Sequence, residues 1–485
     1  MVGVDPRLIS LADARILLAV LNNAFHSLYS VTDCLIDIVG THAQVCSLTT
    51  VRVIPLEFSG KACVDKISQV RAAISEREED CWGFCLTKVD EIAWLVNVQV
   101  CDVENSNQFF VYALVTLSNA FLYVHESQLT EGACVSLDDN DVELRPYEAL
   151  MADLKSFKLE HITEFLRSSK FMWRKQKLWL DPCCWLAIQD AIGGPTHVIE
   201  DRSPIIPMKV IKNETELQGI REAHIRDAAS ICQLFAWLDG QLATNHDTSL
   251  TKLDVSMKLD GFRRKQASFL GSHSPANRVP LQAISRNEIY LSVTNARYMD
   301  GTASCTRSFH FSTSSAFDRE SHTRALQGLI SLQTTVFPRG TTGEALDVLA
   351  RTHLWRMGLH VTHQSEPFLT LEDGIEPERT LEPGMVVICR PGFVKPDSTE
   401  IRVANTLVVR EVLCPHNFGE TEWLGFDCVT FLPFCQQLVD ANLLTDQEKN
   451  WLNAYHQQCE ALVGSLLFEE EVVVKGWLAR VTHPI

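Results

Sequence analysis

Apolar and polar positions along the chain change period several times, and each change marks a different kind of element. Around Cys81 to Asp102 and Phe109 to Val124, short runs rich in Trp, Phe, Val and Tyr alternate with polar turns, which predicts buried strands. A helical pattern over Lys66 to Glu76 precedes the first of them, and Lys177 to Leu180 reads as a strand that ends at Asp181-Pro182. Together these predict an α/β layer domain. Between Asp201 and Lys212 the chain becomes extended, with Ser203-Pro204 and Ile206-Pro207, and a domain boundary is expected there. Beyond it Leu217, Ile220, His224, Ala228, Ile231, Phe235 and Leu238 recur at three- and four-residue steps on one face of a long helix, with Gly240 as its expected stop. His224, on that apolar stripe, reads as a buried, hydrogen-bonded structural histidine. A second helix is expected over Lys252 to Gln266, then strands at Glu288–Val293, Ala296–Asp300, Arg307–Ser312, Met385–Cys389 and Ile401–Val409. Near the end Thr445 and Glu448 have capping-box spacing, and Trp451, Tyr455, Cys459, Leu462 and Leu466 continue a helical stripe.

Length and charge narrow the picture. At 485 residues the chain is too long for one ordinary core, and 46% hydrophobic with 21% charged residues is a globular balance. With 43 basic against 61 acidic residues the net charge is -18, a field that repels phosphate backbones and anionic lipid surfaces. Neither nucleic acid nor membrane is therefore expected as a partner, and Arg263-Arg264-Lys265 reads as a solvated helix end. The 16 cysteines, among them the adjacent Cys183 and Cys184, lack the dense framework of a small secreted domain. Free thiols in a cytoplasmic, reducing compartment are expected. The apolar stretch Ile16 to Leu21 is too short for a membrane span or a signal core.

Several segments together resemble the cytosolic Xaa-Pro aminopeptidases, or aminopeptidase P, of the creatinase-like pita-bread superfamily. They are Val2-Gly3-Val4-Asp5-Pro6, Asp90-Glu91-Ile92-Ala93-Trp94-Leu95, Ala223-His224-Ile225-Arg226-Asp227-Ala228, Leu444-Thr445-Asp446 and Trp451-Leu452-Asn453-Ala454-Tyr455-His456. The resemblance implies an α/β (α+β) fold: truncated creatinase-like N-terminal α/β layers, a pita-bread domain and a helical C-terminal extension. It places a remnant of the first domain at 1–45, a second creatinase-like domain at 46–206, the pita-bread domain at 207–430 and the extension, an expected dimer contact, at 431–485.

The same resemblance implies two divalent ions held by two aspartates, one histidine and two glutamates, with a bridged water as nucleophile. At the expected ligand positions the sequence departs from the pattern. Tyr290-Leu291-Ser292-Val293-Thr294-Asn295 and Tyr298-Met299-Asp300-Gly301-Thr302-Ala303-Ser304-Cys305-Thr306-Arg307 carry Val293 and Ser304 where aspartates are expected. Cys389-Arg390-Pro391-Gly392 and Ile401-Arg402-Val403-Ala404-Asn405 carry Arg390 and Ala404 where glutamates are expected. The glycine-rich histidine segment expected after Gly358-Leu359 is absent, leaving His360 and His363 nearby, and Gly271-Ser272-His273-Ser274-Pro275 replaces a longer stretch before Tyr290.

These departures lead to the expectation of a catalytically inactive pseudoenzyme with no metal cofactor, working as a homodimer, as a heterodimer with an active family member, or as a peptide-binding module. The alternative is an active Xaa-Pro metalloaminopeptidase with two Mn or Zn ions. His360 and His363, Cys305, Cys389 and the Cys183-Cys184 pair do not form a recognisable zinc pattern. Ser304 and Cys305 have no base beside them in sequence, and Gly340-x-x-Gly343 is not a phosphate loop. Arg390 is expected either to enter the former metal pocket and pair with Asp300 or to swing out to solvent.

Overall fold

The computed structural model describes residues 1–31, 50–77, 81–100, 109–157, 177–244, 250–273, 282–359, 368–371, 379–396, 399–468 and 470–485. The chain divides into two compact units, Met1–Lys209 and Val210–Ile485.

In the first unit, β1 (Val2–Val4), α1 (Leu11–Asn23) and β2 (Leu28–Ser30) form a small parallel βαβ layer. β3 (Val51–Val53) leads to α2 (Cys63–Ser75), β4 (Cys81–Leu86), α3 (Val89–Leu95), β5 (Val98–Val100), β6 (Val111–Thr116), β7 (Ala120–Val124), α4 (Glu131–Asp138), β8 (Val142–Pro146), β9 (Lys177–Leu180) and β10 (Val198–Glu200). Six of these strands make a mixed sheet in the order β10-β9-β4-β6-β7-β8. Both faces are buried: Phe84, Leu86, Ala113 and Val115 enter one core cluster while Trp82, Cys85, Leu114 and Phe121 enter another. That is why these strands read as unbroken apolar runs. One expectation fails here, since the middle of the Cys81–Asp102 run is the helix α3. Ile92 and Leu95 are buried from a helix, and a short apolar run does not by itself tell a buried helix turn from a strand.

The second unit opens with α5 (Glu214–Thr244), 31 residues long, followed by α6 (Lys252–Arg263) and β11 (Phe269–His273). The hairpin of β12 (Tyr290–Tyr298) and β13 (Thr302–Phe309) follows, longer and more continuous than the three strands expected. Then come α7 (Ala316–Gln333), β14 (Phe337–Pro338), α8 (Gly343–Trp355), β15 (Leu369–Leu371), β16 (Val386–Cys389), β17 (Gly392–Val394), β18 (Glu400–Arg402), β19 (Asn405–Val412) and β20 (Trp423–Cys428). Five of them form a sheet in the order β14-β20-β19-β16-β15. α9 (Asp446–Gly464) and α10 (Val472–Val481) close the unit.

The expected stop at Gly240 is not one, because α5 continues to Thr244 with Leu242 buried. A helix-interior glycine costs about 1 kcal/mol, which packing readily overrides. The Thr445 capping box forms as read: the Glu448 carboxylate accepts from the Thr445 N–H at 2.7 Å. The core side of α9 is Leu452, Tyr455, His456, Cys459 and Val463, while Leu466 is exposed. Among the described residues no helix is long and apolar enough to cross a membrane.

Candidate functional site

The four positions singled out in the sequence meet in the second unit through strand register. Val293 on β12 lies opposite Thr306 on β13, and Ser304 lies opposite Asn295, so Val293 and Ser304 are diagonal neighbours on one face of the hairpin. The Thr306 carbonyl accepts a hydrogen bond from the Ala404 N–H at 3.0 Å. Asn405 then pairs opposite Cys389 across β19 and β16, and one further step of that register brings Arg390 opposite Ala404. The Arg390 N–H donates to the Phe368 carbonyl at 2.7 Å. Val293, Ser304 and Arg390 are half-buried, and Ala404 is buried.

The residue types present there are an aliphatic chain, a hydroxyl, a guanidinium and a methyl group. A pair of dications needs anionic oxygen donors around it, and these four side chains offer none. They do not fit a dinuclear metal centre. Among the described residues no group of three or more His, Cys, Asp and Glu side chains is placed to hold a metal ion. His360 and His363 lie outside the described residues. Cys305 and Cys389 are buried free thiols, burial pushing Cys305 up to about 11 and Cys389 further in the same direction. Cys183 is exposed and Cys184 buried, and neither is in a disulfide.

The expected partnership of Arg390 and Asp300 does not form. Asp300 belongs to the β12–β13 turn, which rests on α5, and there Arg226 takes both of its carboxylate oxygens at 2.5 and 2.6 Å. Arg390 instead donates to the Thr370 hydroxyl on the adjoining strand β15 at 3.3 Å. Register decides the outcome: Thr370 is opposite Ile388, so it shares a sheet face with Arg390 two residues on.

Arg307, placed by the sequence only at the start of an expected strand, holds the ground behind these positions. It is fully buried. Its guanidinium donates to the Ala404 carbonyl, to Asn405 Oδ1 at 2.6 Å, to the Leu432 carbonyl at 3.1 Å and to the Tyr455 hydroxyl at 2.9 Å. One side chain thus ties β13, the 404–405 segment, the 432 segment and α9 together. Three buried histidines stand in its field. Burial first, and the Arg307 charge second, push His224 down to about 3, and His322 and His456 each down to about 4. His224 is buried as expected, but its Nε2 has no hydrogen-bond partner among the described residues.

Comparison with known proteins identifies this architecture. Residues 44–216 match the creatinase/prolidase N-terminal domain, residues 218–411 match metallopeptidase family M24, and residues 422–485 match the C-terminal region of peptidase M24. A probable Xaa-Pro aminopeptidase P of Coccidioides posadasii is 37% identical over all of this chain and 77% of its own length. One from Ajellomyces dermatitidis is 36% identical over all of this chain and 82% of its own. The chain belongs to the aminopeptidase P family. The X-prolyl aminopeptidase of Caenorhabditis elegans, described as a cytosolic enzyme with a di-nuclear active site, shares the fold with a TM-score of 0.88 at 23% identity, covering all of this chain and 80% of that one. A Xaa-Pro dipeptidase from Bacillus anthracis matches at a TM-score of 0.54 and 17% identity, over 77% of this chain and 98% of its own.

These findings bear out the resemblance and the fold class, and they correct one expectation. Aminopeptidase P belongs to a metallopeptidase family, and the C. elegans enzyme has a di-nuclear active site, so metal ions are the cofactors of the family and the expected lack of any cofactor is set aside.

Proposed function

We propose that this chain keeps the aminopeptidase P scaffold but does not hydrolyse Xaa-Pro peptide bonds at the site formed by Val293, Ser304, Arg390 and Ala404. The chemistry of those four side chains carries the proposal, because none of them supplies a carboxylate or imidazole to charge-balance a pair of dications or to act as a base toward water. The purified protein, given Mn or Zn and a Xaa-Pro peptide, is expected to release no N-terminal residue above the rate of a blank. Turnover would overturn the reading.

A second reading has the names of the relatives behind it more directly: a Xaa-Pro metalloaminopeptidase whose ligands come from other positions. The same assay separates the two. Binding of the peptide without turnover would favour peptide capture over a purely structural role.

The proposal includes association with a second copy, or with an active family member, through 431–485, and a cytoplasmic location in keeping with the free thiols. Deleting this region is a poor test, since Phe434, Leu452, Tyr455 and Cys459 in it are core residues. Val472 and Val473, 70% and 77% exposed at the start of α10, are the better targets. Replacing both with glutamate is expected to give monomer in light scattering without loss of fold. An unchanged mass would place the contact elsewhere.

A further inference from the structure

An open groove of about 450 Å³ lies at the carboxyl ends of the neighbouring parallel strands β7 and β8 in the first unit, lined among others by His125, Glu126, Arg145, Tyr147 and Glu148. Carboxyl ends of parallel strands are a recurrent place for ligands, and the volume is in the range of small-molecule sites. One wall is aromatic. Tyr147 stacks on Tyr112 with ring centroids 4.9 Å apart and their hydroxyls 3.0 Å apart, Phe110 meets Tyr147 edge-on at 5.7 Å, and His125 lies 5.2 Å from it. The Tyr112–Tyr147 stack fixes the wall in place, and Tyr147 itself remains half-exposed.

The charges around this wall are uneven. Arg145 is matched within the protein: its guanidinium is 2.7 Å from Glu143, 4.0 Å from Asp153 and stands over the Phe121 ring. Glu126 and Glu148 are exposed, with His125 Nδ1 3.7 Å from Glu148, a separation too long for a hydrogen bond. Two carboxylates beside an aromatic wall attract a cation with both charge and ring quadrupole, and the whole chain, at net charge -18, adds to that field.

We infer that this groove binds an organic cation, the ammonium or guanidinium group of an amino-acid derivative or peptide, between Glu126 and Glu148 and against the Tyr147–His125 wall. The site is separate from the four positions on which the proposed function rests, so either can fail alone.

Calorimetry of the full chain at low ionic strength tests it, with Nα-acetylargininamide and Nα-acetyllysinamide as probes and Nα-acetylcitrullinamide, which carries no charge, as the neutral counterpart of the first. Either cation is expected to bind roughly tenfold tighter than Nα-acetylcitrullinamide, and to lose most of that margin in the Glu126→Gln/Glu148→Gln double variant. Both glutamates are exposed, so this variant should fold as the parent does. Tyr147→Leu should weaken the cations further while leaving the carboxylates in place. Equal binding of the neutral amide, or cation binding unchanged in the double variant, would overturn the inference, and so would an absence of binding by both cations.

Discussion

Arg307 is a fully buried cation that forms no salt bridge among the described residues, and its charge is met by carbonyl, amide and hydroxyl oxygens instead. A charge taken out of water is tolerated only when every donor is used, and each acceptor it satisfies becomes a liability once the donor is gone. Arg307→Met should therefore strand the Ala404 carbonyl, leave the Leu432 carbonyl with the Tyr455 hydroxyl as its donor, and cost about 3 kcal/mol or more in urea unfolding. Arg307→Lys should lose nearly as much, since an ammonium cannot reproduce the planar fork. Tyr455→Phe removes one acceptor of Arg307 together with the hydroxyl's donation to the Thr430 and Leu432 carbonyls at 2.9 Å, and should cost about 1–2 kcal/mol. Wild-type stability in Arg307→Met would show that the network is an accompaniment to the packing and not a part of what holds α9 in place.

At the scale of elements, α5 meets the β12–β13 turn through two glycines. A Cβ on Gly219 would come within 2.1 Å of the Asp300 carbonyl oxygen, and one on Gly301 within 2.9 Å of the Ile220 backbone. Arg226, farther along the same helix, then grips the Asp300 carboxylate. Gly219→Ala would gain at most about 1 kcal/mol of helix propensity and should still destabilise by about 2–4 kcal/mol, because backbone has to move on both sides. A Gly219→Ala protein with an unshifted urea midpoint would mean that the helix can slide away from the turn freely. The period of apolar residues made α5 legible in the sequence, and the spacing of Thr445 and Glu448 did the same for the cap of α9. α3 was not legible, because Ile92-Ala93-Trp94-Leu95-Val96 is too short and too uniformly apolar to declare a period. The four candidate-site positions could be named from motifs, but the partners of Arg390 and Asp300 could not. Those depend on which strand lies beside which, information that local spacing does not contain.

Across the whole molecule, titration should separate the two units. His224, His322 and His456 all lie in the second unit, each held neutral chiefly by burial and secondarily by the Arg307 cation, at about 3, about 4 and about 4. Their unfolded counterparts titrate near 6.5. With the folded values depressed, the unfolded chain binds more protons at any pH between the two, so stability present above about 6.5 is lost as pH falls toward 4. Each histidine contributes a slope of up to about 1.4 kcal/mol per pH unit in that window, and three together make the second unit acid-sensitive well before most carboxylates protonate. Lowering pH toward the sequence pI of about 5.3 acts the other way by relieving the repulsion of a net charge of -18. That relief is spread over a long, screened surface, whereas the histidine penalty is paid inside a core, so the penalty should win. Urea midpoints followed through the second unit's Trp451 and Trp477 should fall between pH 7 and pH 5 while those followed through Trp82 and Trp179 of the first unit shift less. His322→Leu, which keeps an apolar side chain in that core, should flatten the second unit's slope by about a third. Midpoints independent of pH over this range, or a steeper loss in the first unit, would show that the buried histidines do not govern acid stability.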